Sequence, residues 1–166
     1  MDVTKEVLIM VTGSHTKPDN YKECERTWIP KLRDLGFNVM VSLGNLECDE
    51  YGQLTENDFE NYYELLSDTT IQFRTFDSKD GLFDKSIKLP AKWVLEETDY
   101  KYYFRIDSDS FVHPERFKKM LEDNFEDFPD VDYMGCCHPW MSWNPHVLQR
   151  RMVCRENHIA SGCAYM

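Results

Sequence analysis

With 166 residues, 42% of them hydrophobic and 14% aromatic, the chain is long enough to fold as one domain around a real core. A formal charge of −11 argues against a nucleic-acid backbone or an anionic membrane surface as the main partner, because both call for clustered Lys and Arg. The sequence contains neither a secretory apolar region nor a run of about 18 apolar residues, so a soluble chain is expected.

Val3 to Thr12 reads as a buried strand ending at Gly13-Ser14-His15. Asn20 to Leu35 reads as a helix with Cys24, Trp28, Leu32 and Leu35 on one apolar face, ended by Gly36. Phe37 to Leu43 is a second strand, followed by a polar loop and a short helix from Asp58 to Leu66. Thr70 to Phe76 is a third strand ending at Asp77-Ser78. A helix from about Phe83 to Glu97 follows, kinked or delayed by Pro90. Lys101 to Asp107 is a further strand, Pro114 to about Phe125 a helix, and Asp132 to Cys137 and Ile159 to Met166 two last strands. Strands alternating with helices predict an α/β fold, a mostly parallel central sheet with helices on both faces, in one domain over residues 1–166.

Ligands of such sheets bind beyond the carboxyl ends of the strands. Three of those ends are short and polar: Thr12-Gly13-Ser14, Asp77-Ser78 and Asp107-Ser108-Asp109. The last is an Asp-x-Asp pair, and among 16 Asp roughly one or two such pairs arise by chance. Two are present, and context separates them. Asp130 and Asp132 lie in a turn-like acidic stretch with Pro129 and read as solvated surface. Asp107 and Asp109 follow Tyr102, Tyr103, Phe104 and Ile106, and a proline-started helix comes next.

Paired carboxylates at a strand end suit a hard divalent cation held against a diphosphate. An acidic protein binding an anionic nucleotide needs such a cation to bridge the repulsion. Because alternate strand residues point to opposite faces, Asp107 and Asp109 share a ligand only where the strand turns. Asp109 is then the direct ligand of Mn²⁺ or Mg²⁺, with Asp107 reaching the metal, a metal-bound water or a ribose. Arg105 is a candidate phosphate contact, with a strand ion pair as the competing role. Lys85 and Lys88 are candidates for the same contact, against a solvated helix face.

Four segments in one order carry a resemblance: Arg26-Thr27-Trp28, Lys88 to Trp93, Tyr103 to His113 around Asp107-Ser108-Asp109, and Ser161-Gly162-Cys163-Ala164-Tyr165. Together they resemble the Fringe and β1,3-galactosyltransferase-like glycosyltransferases of the GT-A fold, over nearly the whole chain. The resemblance implies a nucleotide-diphosphate sugar donor, usually UDP-linked, a glycan or glycoprotein acceptor, Mn²⁺, and inversion at the anomeric carbon. It makes Asp107, Ser108 and Asp109 the metal and nucleotide motif, and Ser161-Gly162 the start of a small-residue segment lining the donor and acceptor cleft. Ala164 stands where the family has glycine, which puts the choice of sugar in doubt.

In that family the catalytic base and a third metal ligand, often histidine, follow the glycine-tyrosine segment, so both are expected beyond Met166, in a longer protein. Members are usually anchored in the Golgi by an amino-terminal helix. Without one here, a cytoplasmic protein of viral or bacterial origin, or an excised domain, is the expectation. Six cysteines without a Cys-x-x-Cys pair favour free buried thiols and a reducing compartment.

Trp140 or Trp143, in the loop from His138 to His146, is a candidate for stacking on a sugar face, against a packed loop. A haloacid-dehalogenase-like phosphohydrolase is disfavoured because its Asp-x-Asp opens the chain, and a calcium loop because Phe111-Val112-His113 lacks the ligands. The remaining alternative is a non-catalytic module of the same fold that binds a sugar nucleotide or glycan.

Overall fold

The computed structural model describes residues 2–45, 62–77 and 84–127, and the backbone of 135–137 and 160–165. Helix α1 (Val3–Glu6) leads into strand β1 (Val7–Thr12). The expected strand from Val3 thus begins four residues late. Asp2 is the cause: its carboxylate accepts from the Thr4 amide at 3.3 Å and the Thr4 hydroxyl at 2.7 Å, capping a helical turn before the strand begins.

The single helix expected from Asn20 to Leu35 is two, α2 (Pro18–Thr27) and α3 (Ile29–Asp34), with Trp28 between them. Prolines sit in the first turn of each, where a missing amide hydrogen does no harm. Pro30 cannot donate back into α2, so the helix restarts there. Gly36 closes α3 with φ of 95°, a left-handed conformation that glycine adopts without penalty.

Strands β2 (Asn38–Asn45), β3 (Tyr63–Ser67) and β4 (Thr70–Phe76) follow. β3 corrects the helix expected from Asp58 to Leu66. Its residues pair antiparallel with β4, Tyr63 opposite Phe73 and Leu65 opposite Ile71, so tertiary pairing overrides helix-prone Glu64 and Leu65. The helix expected from Phe83 opens as a π-helical turn, Asp84–Lys88, and becomes α4 (Leu89–Glu97) once Pro90 is in its first turn. The remaining elements are β5 (Tyr102–Asp107), α5 (Pro114–Asp127), β6 (Gly135–Cys137) and β7 (Ala160–Tyr165).

Among the described residues seven strands form one sheet, in the order β3-β4-β2-β1-β5-β7-β6. β4, β2, β1 and β5 run parallel, whereas β3, β7 and β6 are antiparallel to their neighbours. The architecture is α/β and Rossmann-like, with a parallel centre and antiparallel flanks. On one face Ile9, Val11, Val39, Val41, Phe104 and Ile106 pack under Trp28, Ile29, Leu32, Phe117, Leu121 and Phe125. On the other, Leu8, Met10, Met40, Ile71 and Phe73 pack under Leu89, Trp93 and Val94. Both sheet faces are therefore covered, as near-continuous apolar runs such as Val7–Val11 require. Among the described residues no helix is long and apolar enough to cross a membrane.

Candidate functional site

Chain order reverses at β1. From β1 the sheet grows one way through β2 to β4, then continues on the opposite side of β1 with β5. Neighbouring strands whose connections leave in opposite directions open a crevice at their carboxyl ends, where ligands of open α/β sheets bind. Thr12 and Asp107 stand in register on the two sides of this switch point.

The acidic pair occupies a β-turn rather than a continued strand. Asp107 is the last residue of β5, and the Ser110 amide donates to its carbonyl at 3.0 Å. The turn frees Asp109 from strand alternation and leaves it exposed. Two backbone contacts hold the turn against the first half of the chain. The Ser108 amide donates to Thr12 O at 3.3 Å, and the Cys24 thiol on α2 lies 3.1 Å from Ser108 O. Burial raises the Cys24 thiol above its ordinary pKa, which keeps it a neutral donor.

Arg105 is buried, and its guanidinium bonds the Asp107 carboxylate. Of its two candidate roles, the ion pair is the one this structure contains. Burial is the largest influence on Asp107 and raises its pKa; Arg105 opposes the rise, and the charge of Asp109 adds to it. Beside Asp107 in register stand Thr12 on β1 and then Ser42 on β2, both buried, with hydroxyls that bond no other group among the described residues.

Asp77, expected as a nucleotide contact, directly follows β4. Its carboxylate is enclosed and surrounded by four donors. Oδ1 accepts from Lys85 Nζ at 2.5 Å and the Gly44 amide at 3.3 Å; Oδ2 accepts from the His15 amide at 2.5 Å and the Ser14 hydroxyl at 3.1 Å. Burial alone would raise its pKa, yet the hydrogen bond and charge of Lys85, with the His15 and Ser14 donors, bring it below the ordinary carboxylate value. Lys85 is buried too, on the π-helical turn and paired with Asp77, so the solvated face expected as its alternative role does not apply to it. Lys88 is exposed, 3.9 Å from Asp84.

Gly13 follows β1 with its amide bonded to Ser42 O at 2.8 Å. The His15 ring continues the contact network, its Nε2 2.9 Å from Gln72 Oε1. Ser161 and Gly162 belong to β7, whose antiparallel ladder sets Ala164 opposite Ile106 and Tyr165 opposite Arg105. The earlier residues of β7 therefore run toward the end of the sheet where the Asp107–Asp109 turn sits. Trp140, Ser78, the His138 to His146 loop and the Asp130/Asp132 pair lie outside the described residues.

Sequence reasoning missed Gly44 and Cys24 as parts of this end of the sheet, and placed His15 after β1 without a role. Gly44 carried a faint signal as a small residue at a strand end; the others act through a thiol and a backbone amide, for which residue type gives no signal. Among the described residues no three His, Cys, Asp or Glu side chains converge as a metal site, so Asp107 and Asp109 stand as a pair. A groove of about 710 Å³ lies at the opposite, amino-terminal end of the strands, between Leu8, Asn38, Met40, Leu65, Trp93 and Tyr100. The switch point and the carboxylate pair favour the carboxyl end as the candidate site, because they carry specific chemistry.

No known protein-family profile matches the chain, and no curated protein matches it.

Proposed function

We propose that the protein is a metal-dependent glycosyltransferase of GT-A type, moving a sugar from a nucleotide-diphosphate donor, UDP-linked, to a hydroxyl of a glycan or glycoprotein. The observation that carries this reading is the register of Thr12 with Asp107 at the switch point, which puts the acidic turn where an α/β sheet receives a nucleotide.

The residues fit a hard divalent cation, Mn²⁺ or Mg²⁺. Asp109 is exposed and reachable, and Asp107 stands two residues away with its pKa raised by burial and by Asp109's charge, a repulsion that a cation held by these carboxylates would relieve. When bound, such an ion supplies charge stabilisation to the departing diphosphate. The protein's own residues position that event. Arg105 holds Asp107, Cys24 and Thr12 hold Ser108, and the two buried hydroxyls of Thr12 and Ser42 offer hydrogen-bonding capacity beside the carboxylate.

Calorimetric titration of UDP and a UDP-sugar, with and without Mn²⁺, on the parent and Asp109→Asn tests the proposal. The expectation is binding that depends on the metal and disappears with the substitution. UDP binding indifferent to both would sink it.

A further inference from the structure

We infer that Asp77 and Lys85 are a positioning pair: without touching the ligand, they fix the Gly13–His15 turn as one wall of the nucleotide crevice. The inference rests on the nucleotide-binding reading of the site.

The geometry separates this role from a direct contact. Asp77 and Lys85 side chains are 0% and 4% exposed, and the four donors around Asp77 come from three other segments of the chain. Ser14 and His15 belong to the turn that leaves β1. Gly44 lies near the end of β2, and Lys85 is on the π-helical turn ahead of α4. One carboxylate thus gathers the carboxyl ends of three adjacent parallel strands and a helical cap. A carboxylate has about four lone-pair sites, so one with four protein donors has no capacity left for a ribose hydroxyl.

Two further observations show that the junction is built closely. A Cβ on Gly44 would meet the Asp77 backbone, and a Cβ on Gly13 would fall 2.8 Å from Leu43 Cδ2 and 2.9 Å from Tyr21 Cδ1. The Ser14 hydroxyl also lies 2.8 Å from the Thr16 hydroxyl, which extends the network to the surface of the turn. A buried ion pair contributes little net stability against its desolvation, and in some proteins buried polar groups specify one arrangement of the chain, the role inferred for this pair. Here the groups it joins are the crevice wall facing the acidic turn across β1. π-helical turns recur beside functional sites, in keeping with this placement.

The test compares Lys85→Met with the double variant Asp77→Asn/Lys85→Gln, whose amides keep a neutral hydrogen-bonded junction. Two quantities are read on each: exchange of the His15 and Gly44 amides relative to that of Ile9, and the Kd for UDP at saturating Mn²⁺. In Lys85→Met, both amides exchange faster by about tenfold or more while Ile9 is less affected, and UDP binds about tenfold more weakly. In the double variant the two quantities move together, both near the parent or both impaired.

Freed amides with unchanged UDP affinity in Lys85→Met would overturn the positioning role and leave the nucleotide reading intact. If Lys85→Met does not fold, the double variant decides: protected amides with UDP affinity reduced about tenfold would mean that Asp77 or Lys85 meets the nucleotide directly. A parent protein that shows His15 protection but no metal-dependent UDP binding would overturn both.

Discussion

Gly44 and Asp77 pack backbone to backbone: a Cβ on Gly44 would stand 2.7 Å from the Asp77 Cα and 2.9 Å from its amide nitrogen. Neither atom is the end of a flexible side chain, so a methyl group there moves β2 away from β4. Gly44→Ala should destabilise the protein by about 1–3 kcal/mol, the usual range for overpacking a close-packed site. Urea unfolding measures it; a change under about 0.5 kcal/mol would show that the strand ends yield more easily than their contacts imply.

Asp77 also makes stability depend on pH in a defined direction. Its folded pKa lies below the ordinary value, so its contribution is fully present above the unfolded-state pKa of about 3.9 and is lost as pH falls through the lower folded value. Asp77→Asn removes that contribution. The stability gap between parent and variant should therefore narrow as pH is lowered from about 6 to about 3, and urea midpoints across that window would reveal a gap that stays constant instead.

Asp107 and Asp109 should separate when each is changed to Asn. Asp107→Asn takes the carboxylate away from buried Arg105 but also relieves a charge that the fold disfavours, so the two effects oppose and the net loss should be about 1 kcal/mol, below that of a fully buried pair. Asp109 is exposed, so Asp109→Asn should alter stability by less than about 0.5 kcal/mol while abolishing metal-dependent UDP binding. Thermal melting beside calorimetric titration reads both. Equal losses of stability would contradict the assignment of the buried pair to Asp107 alone.

Leu121 on α5 is fully buried against the sheet, far in character from the polar carboxyl end. Leu121→Ala should lower stability by about 2–5 kcal/mol through lost burial and a residual cavity. Under conditions where the variant remains folded, its UDP affinity should match that of the parent. A weakened affinity in folded protein would tie α5 to the site more tightly than its packing suggests.

The strands were legible because β-branched and aromatic residues cluster where the sheet is buried on both faces: Thr70 to Phe76 is bounded as the sequence implies, and Asp107 falls at a strand end. The elements that departed from expectation did so through interactions that no local pattern carries. Asp2 turns Val3–Glu6 into a helix by one side-chain cap, and pairing with β4 makes a strand of Tyr63–Ser67. At the site, the carboxylates could be named from composition, but not their partners. Asp77 and Asp107 look alike as strand-end acids, and only three-dimensional contacts show one enclosed by four donors and the other half-open beside Arg105.

The flanking of β5 has a kinetic consequence. Its acidic turn is bordered on one side by β1, from the start of the chain, and on the other by β7, reached only after α5 and β6. Neither border comes from a hairpin neighbour, so both must be closed by long loops before the turn is framed. The parallel β1–β5 pairing and the antiparallel β5–β7 pairing are thus the slow, high-separation contacts of the fold. Ligand-binding competence should appear late in refolding, after the helices have formed and the apolar faces of the sheet have been covered.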